Sequence, residues 1–204
     1  MVDLEHIRRR FSEFVRARDF NGAAAFLSEA FRAAKESGDR EHALEIGDRL
    51  AGVLTAGRRD LEALDVYREL LTEFPEDAFL NLQVATFLTT LLRRPDEAIE
   101  TLTPVLDELL QDEHVRHATL GVWGTNQARL GNIDEARKSF GLLMEDDLSR
   151  MDPVAIDFLL VEELLSKGEL EAECREYVSG ALGQAERMGN EDVARRARSL
   201  LNLP

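Results

Sequence analysis

The sequence predicts an all-α protein: a right-handed superhelix of about five antiparallel helical hairpins with a C-terminal capping helix. Three observations predict it. Apolar residues recur at three and four positions rather than two, which places them on one face of a helix. Helical stretches end at regular breaks marked by Gly, Asp or Pro. A small residue followed by two apolar ones returns at a mean interval of about 37 residues, in the range of helical-hairpin repeats.

The elements follow in order as a single domain over residues 1–204. The first hairpin, near 2–37, opens with the stripe Leu4, Ile7, Phe11, Phe14 and Val15, and Gly38-Asp39 ends it. Gly takes the left-handed conformation that closes a helix, and the following Asp can accept N–H bonds at the start of the next. The second hairpin, near 40–74, breaks at Gly57 to Asp60 and carries the stripe Leu61, Leu64, Leu70 and Leu71. The third, near 77–111, turns at Arg94-Pro95-Asp96. Pro104 falls two turns into its second helix and should bend or split it, because proline removes the bond to the Glu100 carbonyl. The fourth, near 114–147, turns at Gly131 to Asp134. The fifth, near 153–188, starts at Asp152-Pro153 with proline in the first turn, carries Leu159, Leu160, Leu164 and Leu165, and turns at Gly168. A last helix, near 190–203, presents Val193, Ala197, Leu200 and Leu201 to cover the fifth hairpin, leaving its arginines to water. About ten or eleven helices of 12 to 17 residues result.

The repeat is carried by Ala23, Leu27 and Ala30; by Ala63, Tyr67 and Leu70; by Ala98, Leu102 and Val105; and by Ala136, Phe140 and Leu143. A weaker fifth set begins at Ala172 and runs through Glu176, Tyr177 and Val178. A small residue lets the second helix of a hairpin approach the first, and the large residue one turn on fills the wedge between hairpins. Each hairpin has apolar surface on both sides and must stack.

On these residues the chain resembles the tetratricopeptide repeat family. The best match is DLEALDVYRELLTEFP, residues 60–75, with Ala63, Tyr67, Leu70 and a closing Pro75. GNIDEARKSFGLL, residues 131–143, matches with Gly131, Ala136 and Phe140, and the helix before it with Leu120, Trp123 and Gly124. Leu50, Ala51 and Leu54 sit close to the first-helix pattern. The resemblance runs from about Leu4 to Leu182. It departs in spacing above 34, in a closing proline only at Pro75, and in a fifth hairpin one residue out of register. A different helical-hairpin solenoid is the alternative.

The resemblance implies a concave groove lined by the first helix of each hairpin. Carried over by register, the groove holds Glu5, Arg8 and Ser12; Glu45, Asp48, Gly52 and Thr55; Leu80, Gln83, Phe87 and Thr90; Ala118, Gly121, Thr125 and Ala128; and Val154, Asp157, Val161 and Leu164. The paired Lys and Asn with which some members grip a chaperone's terminal carboxylate are missing. Leu80, Phe87, Val154, Val161 and Leu164 would be apolar and inward, and would suit an amphipathic helix laid along the groove. The alternative is that they pack on neighbouring helices of the chain itself.

The function expected is a protein-interaction adaptor binding a partner helix or extended peptide. A ligand-sensing regulator is the second reading, and self-assembly into a homodimer through the first helix a third. No enzyme is expected. The chain has no GxxxxGK[ST], GxGxxG or GxSxG, and adjacent carboxylates such as Glu162-Glu163 diverge on a helix. Neither cofactor nor metal is expected. Glu113, His114 and His117 could share a helix face but offer too few ligands, and read as solvent-exposed groups in an acidic segment. Cys174 reads as a small buried hydrophobe.

Charge narrows the partners. The 204 residues carry a formal net charge of -15, with 10 basic and 10 acidic side chains in residues 1–58, 5 and 14 in 59–118, and 10 and 16 in 119–204. Nucleic acid and anionic membrane both need a basic face, so neither is expected. The runs Arg8-Arg9-Arg10 and Arg195-Arg196-Ala197-Arg198 read as solvated helix surface, or as docking points for an acidic partner. One Cys excludes an internal disulfide framework, and the charged start lacks the apolar stretch of a secretion signal, so a cytoplasmic location is expected.

Overall fold

The computed structural model describes residues 3–145 and 158–203, and their regular structure is helical throughout. The helices are α1 (Leu4–Ala17), α2 (Phe20–Glu36), α3 (Arg40–Ala56), α4 (Asp60–Glu73), α5 (Ala78–Phe87), α6 (Pro95–Leu102), α7 (Leu106–Gln111), α8 (Arg116–Arg129), α9 (Ile133–Met144), α10 (Leu159–Ser166), α11 (Glu171–Met188) and α12 (Glu191–Leu201). A π-helical turn, Leu88–Leu92, continues α5, and a 3-10 turn, Thr103–Val105, joins α6 to α7. Consecutive helices pack as hairpins, and the chain forms two compact units, Met1–Leu80 and Asn81–Pro204.

In the first unit, Asp3, Asp19 and Asp39 each accept a backbone N–H from the residue three positions on, capping α1, α2 and α3. Asp60, Asp96 and Asp134 were expected to cap in the same way and do not. The cap positions are Arg59, Arg94 and Asn132, and the three acids lie within the first turn, where they complement the helix dipole instead. The core joins Ala23, Leu27 and Phe31 of α2, Ile46 and Leu50 of α3, and Ala63, Leu64, Tyr67 and Leu70 of α4. Each fully buried Leu contributes about 1.5–3 kcal/mol of transfer free energy. The expected stripe on α4 is corrected at Leu61, which is 63% exposed; Ala63 and Tyr67 take the inward places. Val15 likewise ends the α1 stripe outside the core.

In the second unit Pro104 splits its helix, as its missing donor requires: the α-helical pattern yields to one 3-10 turn and resumes at Leu106. Five described helices are shorter than the expected 12 residues: α5, α6, α7, α10 and α12 have 10, 8, 6, 8 and 11 residues. Helix α8 is buried on nearly every side, including its polar residues Thr119, Thr125, Asn126 and Gln127. His117 was expected in solvent. It is 6% exposed, and its Nε2 lies 2.9 Å from the Tyr177 hydroxyl of α11. His114, in the turn before α8, is exposed. Around α8 packs a cluster that includes Phe140 and Leu143 of α9, Leu160, Val161 and Leu164 of α10, Tyr177, Val178 and Ala181 of α11, and Ala197 of α12. Val193, Leu200 and Leu201 of α12 lie against it, so α12 covers α11. Its three arginines do more than face water: Arg195 pairs with Asp192 at 3.1 Å, Arg196 bonds Glu162 at 2.9 Å and Arg198 bonds Glu186 at 2.7 Å.

The structure shows what the small residues do. Ala23, Ala63, Ala98 and Ala136 each stand four residues after a helix cap, and each donates its N–H to the cap carbonyl, closing the first turn. In α11 that place belongs to Cys174, which donates to Leu170 at 2.8 Å, and not to Ala172, which is exposed. The fifth set is Cys174, Val178 and Ala181, in register after all. Cys174 is fully buried, and burial, followed by the nearby Glu173 charge, pushes its thiol up to about 11.

Polar contacts follow the same period. Arg8 pairs with Glu45, Lys35 with Glu69, Arg129 with Glu163, and Arg137 with Glu169. Arg40 donates to the Glu73 carbonyl at 2.6 Å, and Asn126 to the Thr89 hydroxyl at 2.7 Å. These partners lie 32 to 37 residues apart, so each joins a position to its counterpart region one repeat on.

Candidate interaction surface

The groove residues expected from the sequence fall into two groups. Leu80, Phe87, Gly121, Thr125, Val161 and Leu164 are buried. Thr125 turns its hydroxyl back to the Gly121 carbonyl at 2.6 Å, and Val161 and Leu164 are 0% exposed. In the chain alone these six present almost no surface. Asp157 and Val154 lie outside the described residues. Arg8 is exposed, and Ser12, Asp48, Thr55 and Gln83 are half-buried.

Arg8, Ser12, Asp48 and Thr55 belong to the first unit, on two of its helices, α1 and α3. Arg8 holds these helices side by side: its guanidinium donates to both carboxylate oxygens of Glu45, each at 2.8 Å. Arg49 donates to the same carboxylate at 3.1 Å and lies 5.7 Å from the Phe11 ring centre. The Arg8 bond, reinforced by Arg49, holds the Glu45 carboxyl below the usual carboxylate range. Ser12 and Thr55 spend their hydroxyls on the carbonyls of Arg8 and Ala51. Burial pushes the Tyr67 hydroxyl of α4 up to about 12, and the Asp48 carboxylate adds to the shift.

Two glycines of α3 divide its faces. Gly47 is buried, and a Cβ there would meet Leu70 at 2.8 Å and Phe31 at 2.9 Å. Gly52 is exposed, and a Cβ there would meet nothing within 4 Å. Gly124 of α8 repeats the role of Gly47: its Cβ would lie 2.6 Å from Leu160 and 2.8 Å from Ser139. The sequence singled out Gly124 and overlooked Gly47, although both sit at the packing face of a first helix. Gly141 of α9 is open in the same way as Gly52, but no expected contact residue shares its helix.

Sequence reasoning also missed a cleft in the first unit. It lies between α2 and α4, has a volume of about 420 Å³, and is lined by Ser28, Phe31, Arg32, Lys35, Glu36, Leu50, Val66 and Glu69. The signal was available in part, since Ser28, Phe31, Arg32 and Lys35 stand at i, i+3, i+4 and i+7 on α2.

Among the described residues no three His, Cys, Asp or Glu side chains are grouped to hold a metal ion, and no helix is long and apolar enough to cross a membrane. No family model matches the sequence, and no curated protein matches it. Among solved structures, the fold is similar to that of PilW, described as a widely conserved type IV pilus biogenesis factor. The likeness has a TM-score of 0.64 at 16% identity and covers 97% of this chain and 91% of that one. What the two share at that identity is the fold: the chain has the all-α, helical-hairpin architecture of PilW.

Proposed function

We propose that this chain is a tetratricopeptide-like protein-interaction scaffold, and that it holds a helix or extended segment of another protein against the α1/α3 face. The observation that carries the reading is Gly52. A glycine inside an exposed helix costs about 1 kcal/mol relative to alanine. Gly47 repays that cost through close packing; Gly52 touches nothing. A local rule broken without a structural return is expected where a chain binds something. Gly52 lies between Asp48 and Thr55, on the face that Arg8 and Glu45 hold in place, so its missing side chain leaves room for a partner's backbone to approach. PilW is described as a biogenesis factor, and a role in building an assembly is compatible with such a scaffold.

The test is a Gly52→Glu/Thr55→Glu variant, compared with the wild type for the proteins each retains from cells of its source. Both positions have exposed surface, so the variant should keep its helix content and melt no lower than the wild type. A protein retained by the wild type and lost by the folded variant supports the reading; equal retention refutes the α1/α3 face as the site.

A further inference from the structure

The cleft between α2 and α4 has an apolar floor and a charged mouth. Phe31 and Leu50 are 5% and 3% exposed, and Val66 is half-buried beside them. Lys35 is committed to the wall: it pairs with Glu69, bonds Glu73 at 3.2 Å, and lies 5.5 Å from the Phe31 ring centre. The Glu69 bond, with Glu73 behind it, raises the Lys35 pKa despite partial desolvation. Arg32 and Glu36 differ from it. They stand one turn apart on the same helix, both are exposed, and neither has an ion pair or side-chain hydrogen bond among the described residues.

An opening of about 420 Å³ receives one or two side chains and is too small for a helix. The floor selects an apolar group. At the mouth, a free guanidinium fits a carboxylate and a free carboxylate fits an ammonium. We propose that this cleft is a second docking site, taking a partner-protein segment in which apolar side chains are flanked by an acidic residue on one side and a basic residue on the other. The acid is read by Arg32 and the base by Glu36, while Lys35 holds the wall. This site is separate from the α1/α3 face and does not depend on it.

The test uses two capped tetrapeptides, acetyl-Glu-Leu-Leu-Lys-amide and acetyl-Gln-Leu-Leu-Gln-amide, titrated into the full chain and followed by amide and Arg Nε–H NMR signals. The charged peptide should shift Phe31, Arg32, Lys35 and Val66 and bind about threefold tighter or more, the range of exposed ion pairs. An Arg32→Gln/Glu36→Gln variant with an unchanged melting temperature should bind both peptides equally. A Gly52→Glu variant should keep the preference, which separates failure here from failure of the α1/α3 reading. Equal binding of both peptides by the wild type, shifts confined to other residues, or no saturable shift up to about 10 mM would each overturn the proposal.

Discussion

Single residues separate packing from function most clearly in α3. Gly47→Ala should destabilise the chain by about 1–3 kcal/mol, because its Cβ enters Leu70 and Phe31. Gly52→Ala, five residues on, should stabilise it by about 0.5–1 kcal/mol through helix propensity alone. Urea unfolding of the two variants checks both signs. Cys174 gives a pH test. Its thiol ionises at about 11 in the fold and near the ordinary 9.0 when unfolded. The unfolded chain therefore loses the proton first, so the stability from keeping the thiol neutral is full below about pH 9 and is lost as pH rises toward 11. Wild-type stability should fall over that window by up to about 2 kcal/mol more than that of Cys174→Ala. The size of each inward side chain was legible in the sequence, but the register of the fifth set was not. Ala172 lies two residues from the correct position, and only the bond from Cys174 to the Leu170 carbonyl identifies the first turn.

Helices are held to one another by a few partly buried polar groups as well as by apolar faces. Arg129 is the clearest case. Its side chain, 13% exposed, bonds Glu163 of α10 at 2.7 Å and the Thr89 carbonyl of the π-helical turn at 2.6 Å. That carbonyl belongs to the end of a helical segment, where carbonyls lack partners along the chain. Arg129→Met should cost about 2–3 kcal/mol by leaving a carboxylate and a carbonyl unpaired, more than Glu163→Gln costs; chemical denaturation of both variants measures the difference. Val161→Glu should unfold the second unit, since the site is fully enclosed and a charge taken from water into it is costly; loss of cooperative melting would show it. The helices themselves were legible from periodicity and from the break at Pro104. The π-helical turn left no signal, because Leu88–Leu92 reads as ordinary helix. The burial of His117 was hidden too. It depends on Tyr177, 60 residues away, and on how deeply α8 sits in its unit.

Over the whole molecule, charge and repetition pull in opposite directions. A net charge of -15 repels itself. Most pairs that bridge one repeat are exposed and worth little each. Moderate salt should therefore raise the melting temperature; a fall would mean that the bridging pairs outweigh the repulsion. The all-helical, repeated plan was legible because each hairpin restates the same small and large residues. Which of the expected groove residues keep surface was only half legible. Register assigns residues to a helix face, but whether that face meets a partner or the chain's own core depends on which helices pack there. On α1 and α3 the expected residues retain surface, whereas Val161 and Leu164 of α10 are enclosed. The claim that this chain is a scaffold working through the α1/α3 face is tested most directly by a photo-crosslinking amino acid at position 52, with a control at the exposed Lys138 of α9. We predict a discrete adduct with another protein from position 52 and none from position 138. No adduct from position 52, or the same adducts from both, would contradict the account.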